Sequence, residues 1–276
     1  MGNSKSKNKN KSKNNKKIET CDFSFIKDNY NSFAELEEAL RQAGLEACQL
    51  IIGIDFTKSN SWQGGQPYFK YQNLHSITSD PNPYQQVLSI MCQSLAGFDN
   101  DNLIDAYGFG DARTCNKSVF SFYVRDESGY MIDVPCYRLE GVLERYKQIA
   151  MSIELSGPTS FAPIIYKAID IVRSKNEYHI LLIIADGAVD DMKQTINAIV
   201  EASNYPLSIV CVGVGKGPWD KMEEMDDNIP DRRFDNFQFV NFHKIMEQCE
   251  NAQIEFAKHA LMEIPIQYKY IRNYIL

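Results

Sequence analysis

Two short apolar runs, Gln49-Leu50-Ile51-Ile52-Gly53-Ile54-Asp55 and His179–Ile184 with Ala185-Asp186-Gly187 behind it, each end on a carboxylate. Unbroken apolar runs of this length are what strands buried on both faces of a parallel sheet look like. An acid at the carboxyl end of such a strand falls where open α/β sheets bind their ligands. These runs commit the chain to a covered sheet and nominate one end of it as a site.

Helical spacing fills the intervals. Ser32-Phe33-Ala34-Glu35 reads as a capping box, and Phe33, Leu36, Leu40 and Ala43 mark one face of an opening helix that Gly44 can end. Tyr84, Val87, Leu88, Met91, Cys92 and Leu95 define a second helix stopped by Gly97, and Phe161, Ile164, Ile165, Ala168, Ile169 and Val172 a third, with Pro163 in its first turn. Met192, Ile196, Ile199 and Val200 give a fourth, with Asp190 and Asp191 as capping acids at its start. Ile245, Cys249, Ala252, Phe256 and Ala260 give one closing helix. Further strands are expected at Leu103–Phe109 and Val119–Val124, as a hairpin, and at Leu207–Val214 and Phe237–Val240. The fold class is α/β, a doubly wound, mostly parallel sheet with helices on both faces and one antiparallel edge strand.

Composition narrows the function. With 44% hydrophobic and 24% charged residues the chain suits an ordinary globular domain, and no stretch nears the roughly 18 apolar residues of a membrane span. The seven cysteines are scattered and never spaced as C-x-x-C, which fits free buried thiols and argues against a zinc ribbon, a RING or a disulfide framework. The four histidines are isolated and read as ordinary surface or core residues.

The net charge of −7 hides a split. Lys5, Lys7, Lys9, Lys11, Lys13, Lys16 and Lys17 share the first 17 residues with no acid, which leaves −14 on residues 18–276. So acidic a body is a poor nucleic-acid binder. Residues 1–20 read as a disordered basic tail that opens Met1-Gly2-Asn3-Ser4-Lys5-Ser6, the pattern for myristoylation of Gly2. One acyl chain binds membranes only marginally, with K on the order of 10⁴ M⁻¹. Each lysine near anionic inner-leaflet lipids adds at most about 1 kcal/mol, so chain and lysines together make a reversible anchor. The expected location is the cytoplasmic face of the plasma membrane, with the nucleus as an alternative. A solvated tail without a partner is the plainer reading.

The chemistry-bearing residues gather at the strand ends. If the two acid-ended strands are neighbours, Asp55, Thr57, Ser59, Thr159 and Asp186 converge into an all-oxygen pocket. Hard divalent cations, Mg²⁺, Ca²⁺ or Mn²⁺, prefer such donors. Two carboxylates balance a 2+ charge, and neutral hydroxyls add ligands without damping the cation further. Strand-end Asp, Ser and Thr that merely cap turns and helices are the bland alternative.

Asp55-x-Thr57-x-Ser59, Thr159 and Asp186-Gly187 resemble the metal-ion-dependent adhesion site of the von Willebrand factor A fold. Ile52-Gly53-Ile54-Asp55-Phe56-Thr57, Tyr107-Gly108-Phe109-Gly110-Asp111, Leu155-Ser156-Gly157-Pro158-Thr159, Gly217-Pro218-Trp219, Phe234–Phe242 and Met262-Glu263-Ile264-Pro265 are similar to the A domain of copines, above all that of plant RING-domain ubiquitin ligases. The resemblance implies a copine-type domain over residues 30–270 that uses those five residues as ion ligands, with Asp111 behind them. It also implies a protein partner that offers an acidic ligand residue, in signalling. The calcium-dependent lipid-binding domains of copines and the RING of the plant proteins have no counterpart here, so ligase activity does not transfer; a substrate-recruiting adaptor for a separate ubiquitin ligase is the alternative. A haloacid-dehalogenase-like phosphatase is a remote one, because Thr57 stands where the second Asp is needed. No nucleophile elbow or nucleotide loop is present, and the chain is expected not to be an enzyme.

Overall fold

Alternate residues along each central strand feed different cores. The computed structural model describes residues 31–64, 73–123, 134–187 and 189–276. In chain order the elements are α1 (Phe33–Gln42), β1 (Gln49–Asp55), α2 (Ser59–Gly64), α3 (Pro83–Leu95), β2 (Leu103–Phe109), β3 (Phe120–Ser121), β4 (Cys136–Tyr137), α4 (Arg138–Ala150), α5 (Ala162–Lys175), β5 (His179–Ala185), α6 (Met192–Ala202), β6 (Leu207–Gly213), α7 (Asp220–Asn228), β7 (Phe237–Asn241), α8 (Phe242–Gln248), α9 (Ala252–Leu261) and α10 (Ile264–Tyr274). Leu50, Ile52 and Ile54 of β1, with Ile180, Leu182 and Ile184 of β5, face α1, α3, α4, α9 and α10. Ile51, Leu181 and Ile183 face the opposite core, built with α5, α6 and α7. The period-two alternation covers both faces with helices, as buried parallel strands require.

The strand order is β3-β2-β1-β5-β6-β7, with β4 also paired to β2. Pairs β1–β2, β1–β5, β5–β6 and β6–β7 are parallel. From β1 the chain builds outward to β2 and later returns to β1's other side with β5, so the switch point lies between β1 and β5. There Ile54 pairs with Ile184, and Asp55, the last residue of β1, and Asp186, the residue after β5, leave neighbouring strands one step apart in register.

The antiparallel edge comes in two short pieces. Ser121 and Phe120 pair with Tyr107 and Gly108, and Cys136 and Tyr137 pair with Ile104 and Leu103. The expected strand Val119–Val124 shrinks to Phe120–Ser121, although Phe122 still donates its N–H to the Ala106 carbonyl at 2.9 Å. Val124 lies outside the described residues, as do Gly2 and the seven tail lysines.

Several local expectations need correcting. Ser32 caps α1 by accepting from Glu35 N–H at 3.2 Å, but the Glu35 carboxylate reaches Asn31 N–H at 3.0 Å rather than the N-cap amide, so the box is not closed. The closing helix is two helices. Cys249 is extended (φ −115°, ψ 139°), and Asn251 restarts the chain by accepting Ile254 and Glu255 N–H on its carbonyl. Apolar spacing runs through that break unseen. Among the described residues the six cysteines are free, and no helix is long and apolar enough to cross a membrane.

Candidate metal centre

At the switch point the chain leaves β1 through Asp55 and turns at once into α2. Asp55 is fully buried; its Oδ1 accepts the N–H of Thr57 at 2.8 Å, which folds the turn back over the strand end. The Ser59 hydroxyl donates to Asp186 Oδ1 at 2.7 Å. Thr57 Oγ1 lies 2.9 Å from Ser59 Oγ. A serine hydroxyl carries one hydrogen, so with Ser59 donating to Asp186, the Thr57 hydroxyl is the donor to Ser59. A relay Thr57 to Ser59 to Asp186 thus joins the two strand ends.

One oxygen of each acid is left over. Asp55 Oδ2 and Asp186 Oδ2 are buried and have no hydrogen-bond partner among the described residues. Each orphaned buried acceptor costs about 1–3 kcal/mol, and more when charged. Burial raises the Asp55 carboxyl, offset in part by the hydrogen bond from the Thr57 N–H. Burial and then the negative charge of Asp55 raise Asp186. Two raised acids with bare oxygens, beside two hydroxyls, fit a hard divalent cation, which neutralises the charge and uses the vacant lone pairs. The donor set is the acid pair with hydroxyls; among the described residues no group of three or more His, Cys, Asp or Glu forms a metal cluster.

Thr159 lies on the loop before α5. Its N–H donates to Asp190 Oδ2 at 2.7 Å, and its carbonyl accepts Asp190 N–H at 3.0 Å, which ties this loop to the one that carries Asp186. Only Asp191 therefore caps α6, accepting from Gln194 N–H at 3.0 Å; Asp190, expected beside it as a cap, holds Thr159 instead. Asp111 is buried and spends its carboxylate within its own turn, accepting Arg113 N–H at 3.2 Å and both the N–H and hydroxyl of Thr114. Its part is to shape the loop after β2. Gly110 in that loop has φ +82°, and a Cβ there would collide with Thr57 Cγ2 and lie 3.4 Å from Asp55 Oδ1. Only glycine lets the loop pass this close at that φ.

A buried polar network beneath Asp55 escaped sequence reasoning. The Asp55 carbonyl accepts from Asn60 Nδ2 at 3.3 Å and lies 3.3 Å from Tyr84 Oη, whose one hydrogen goes to Asn60 Oδ1 at 2.7 Å, and 2.9 Å from His75 Nε2. A carbonyl only accepts, so Nε2 carries the hydrogen and Nδ1 accepts from Tyr146 Oη at 2.8 Å. The His75 ring is stacked 4.1 Å from Tyr84 and 4.6 Å from Phe56, and burial pushes it down to about 3, so it stays neutral. Gln63, one turn beyond Ser59, donates to the Asp186 carbonyl and accepts Lys216 N–H at 2.7 Å. Its i, i+4 spacing from Ser59 was the one available signal; an isolated His and tyrosine hydroxyls on an apolar helix face offered none.

A parallel sheet wrapped by helices, with acids and hydroxyls meeting at its switch point, defines a von Willebrand factor A-like α/β domain. The D319A mutant of the PilB minor pilin from Streptococcus sanguinis shares the fold at 10% identity, with a TM-score of 0.50 over 84% of this chain and 64% of that one. Residues 73–275 match the copine family, and the chain belongs to it. E3 ubiquitin-protein ligase RGLG1 of Arabidopsis thaliana is 51% identical over 263 residues, which cover 90% of this chain and 52% of that protein. Copine family protein 2 of Caenorhabditis elegans is 47% identical over 246 residues, covering 89% of this chain and 3% of that protein. The chain thus spans about half the length of the plant ligase.

Proposed function

We propose that this copine domain binds a protein ligand through one divalent cation, Mg²⁺ or Ca²⁺ with Mn²⁺ as a substitute, held by Asp55, Thr57, Ser59, Thr159 and Asp186. The observation that carries the reading is the pair of buried, unpartnered Oδ2 atoms on Asp55 and Asp186. When bound, the ion supplies an electrophilic position for an acidic side chain of the partner. Ser59 orients Asp186, Thr57 orients Ser59, and the His75–Tyr84–Asn60 network holds the Asp55 main chain in place. We assign no catalytic residue. Calorimetric titration of Mg²⁺, Ca²⁺ and Mn²⁺ into wild type and an Asp55→Ala/Asp186→Ala double variant tests the reading: binding is lost in the variant, and unchanged affinity refutes it.

The N-terminus extends the proposal. Acylated Gly2 with Lys5, Lys7, Lys9, Lys11, Lys13, Lys16 and Lys17 holds the domain at anionic lipids of the inner plasma membrane, where it serves signalling. A second reading is favoured by the 51% identity to a plant E3 ligase: the domain recruits substrates for a ubiquitin ligase. Affinity capture that brings down a RING protein supports that adaptor role.

A further inference from the structure

We infer that Trp62 is the apolar anchor for the partner, and that this partner is an extended protein segment with an aromatic or large aliphatic side chain two residues from its acidic ligand residue. The inference rests on the ion-dependent reading of the same site and adds what the ion cannot supply, a choice among acidic segments.

Trp62 is 68% exposed, whereas Trp219 is buried at 8%. A lone exposed apolar side chain says little by itself. Trp62 differs because the helix that carries it is fastened on both sides. Asn60 is fully buried, donates to the Thr57 carbonyl at 3.1 Å and accepts from Tyr84 Oη at 2.7 Å. Gln63 bridges the Asp186 carbonyl and Lys216 N–H. At about 100° per residue, Trp62 stands about 200° round the helix from Asn60, so the inward pull on Asn60 turns the indole outward. Its exposure is imposed by the bonds that build the ion site.

Its distance from the ion's ligands is also fixed. Ser59 and Trp62 are i, i+3 neighbours, with Cβ atoms about 5–6 Å apart on a helix. An extended chain rises about 3.3 Å per residue and turns alternate side chains to the same face, so a ligand acid at the ion sets the side chain two residues away against the indole. Charge agrees with an acidic segment. Lys58, next to Ser59 in the chain, is exposed on this rim of a body of net charge −14. Tryptophan is among the residue types that dominate binding energy when a partner covers them.

Random twelve-residue peptides displayed on phage, panned on the full chain in Mn²⁺ and eluted with EDTA, supply the probe. Enriched peptides carry Asp or Glu with an aromatic or large aliphatic residue two positions away. Measured by fluorescence polarisation, their affinity drops about thirtyfold in Trp62→Ala, recovers largely in Trp62→Phe, and vanishes in Asp55→Ala. Calorimetric Mn²⁺ affinity and melting temperature stay at wild-type values in Trp62→Ala. Peptides that elute with EDTA but bind Trp62→Ala as tightly as wild type overturn the role of Trp62 and leave the ion-dependent function standing. A fall in Mn²⁺ affinity in Trp62→Ala also overturns it, since the indole then acts on the ion site. Panning that enriches no EDTA-sensitive peptide overturns the ion-dependent reading and this inference with it.

Discussion

Ser59 and Asp186, 127 positions apart in sequence, are joined by a 2.7 Å hydrogen bond from the serine hydroxyl to Oδ1. The bond fastens the first turn of α2 to the end of β5 and so ties the loop after β1 to the loop after β5. It also uses only one oxygen of Asp186 and leaves the other bare inside the protein.

That bare oxygen gives the first prediction. Asp186→Asn removes a buried charge while keeping the shape, so the ion-free protein gains about 1–2 kcal/mol near pH 8, or roughly 2–6 °C in melting temperature. The variant also loses the stabilisation that Mn²⁺ gives wild type, about 2.7 kcal/mol at a hundredfold excess over Kd. Thermal unfolding in EDTA and in Mn²⁺ reads both effects, and a variant that melts lower in EDTA speaks against an uncompensated carboxylate.

Acid weakens the ion. Both carboxyls are raised in the folded state, Asp55 by burial and Asp186 by burial and then the charge of Asp55. A raised acid contributes stability that is complete below its unfolded value of about 4 and is lost as pH climbs through the folded value. Without metal, these two groups make the protein less stable toward neutrality. Metal binding must displace their protons, so the gain in melting temperature from Mn²⁺ is larger at pH 7.5 than at pH 5.5. An equal gain at both values contradicts the assignment.

His75 carries the opposite sign. Burial holds it neutral, down at about 3, so its contribution is present above the unfolded value of about 6.5 and fades as pH falls toward 3. His75→Phe leaves the Tyr146 hydroxyl and the Asp55 carbonyl short of a partner and costs about 2–3 kcal/mol at pH 7. Urea unfolding at pH 7 and pH 4 shows the difference from wild type shrinking at the lower pH; a constant difference argues against a neutral buried imidazole.

Gly110→Ala sets a methyl group against Thr57 Cγ2 at a φ of +82°. The variant loses about 1–3 kcal/mol of stability and, because Thr57 must shift, binds Mn²⁺ at least tenfold more weakly. Calorimetry that finds wild-type affinity shows that Thr57 has room to yield.

For the N-terminus, Gly2→Ala moves the protein from the membrane to the cytosolic fraction. Unaltered fractionation removes the acyl chain from the account.

The central strands were legible because burial on both faces leaves its mark on every residue: β1 and β5 have no polar interruption between their first residue and the terminal acid. Asp55, Ser59 and Asp186 were legible because strand ends converge at a switch point, and the structure does bring them together. The helix Arg138–Ala150 left little trace, since only Val142 and Tyr146 of it are buried and Gly141 interrupts it. The helix Ser59–Gly64 is too short for a period to show. The His75–Tyr146–Asn82 cluster was hidden for another reason. Its residues come from separate segments, and what unites them is hydrogen bonding at 2.8–3.3 Å, which no spacing along the chain encodes.

Crystals soaked in Mn²⁺ and measured at the manganese absorption edge test the central claim most directly. The account predicts one strong anomalous peak enclosed by Asp55, Ser59 and Asp186, with the bare Oδ2 atoms turned toward it. No peak there at saturating Mn²⁺, with both carboxyls left as they stand, would contradict it.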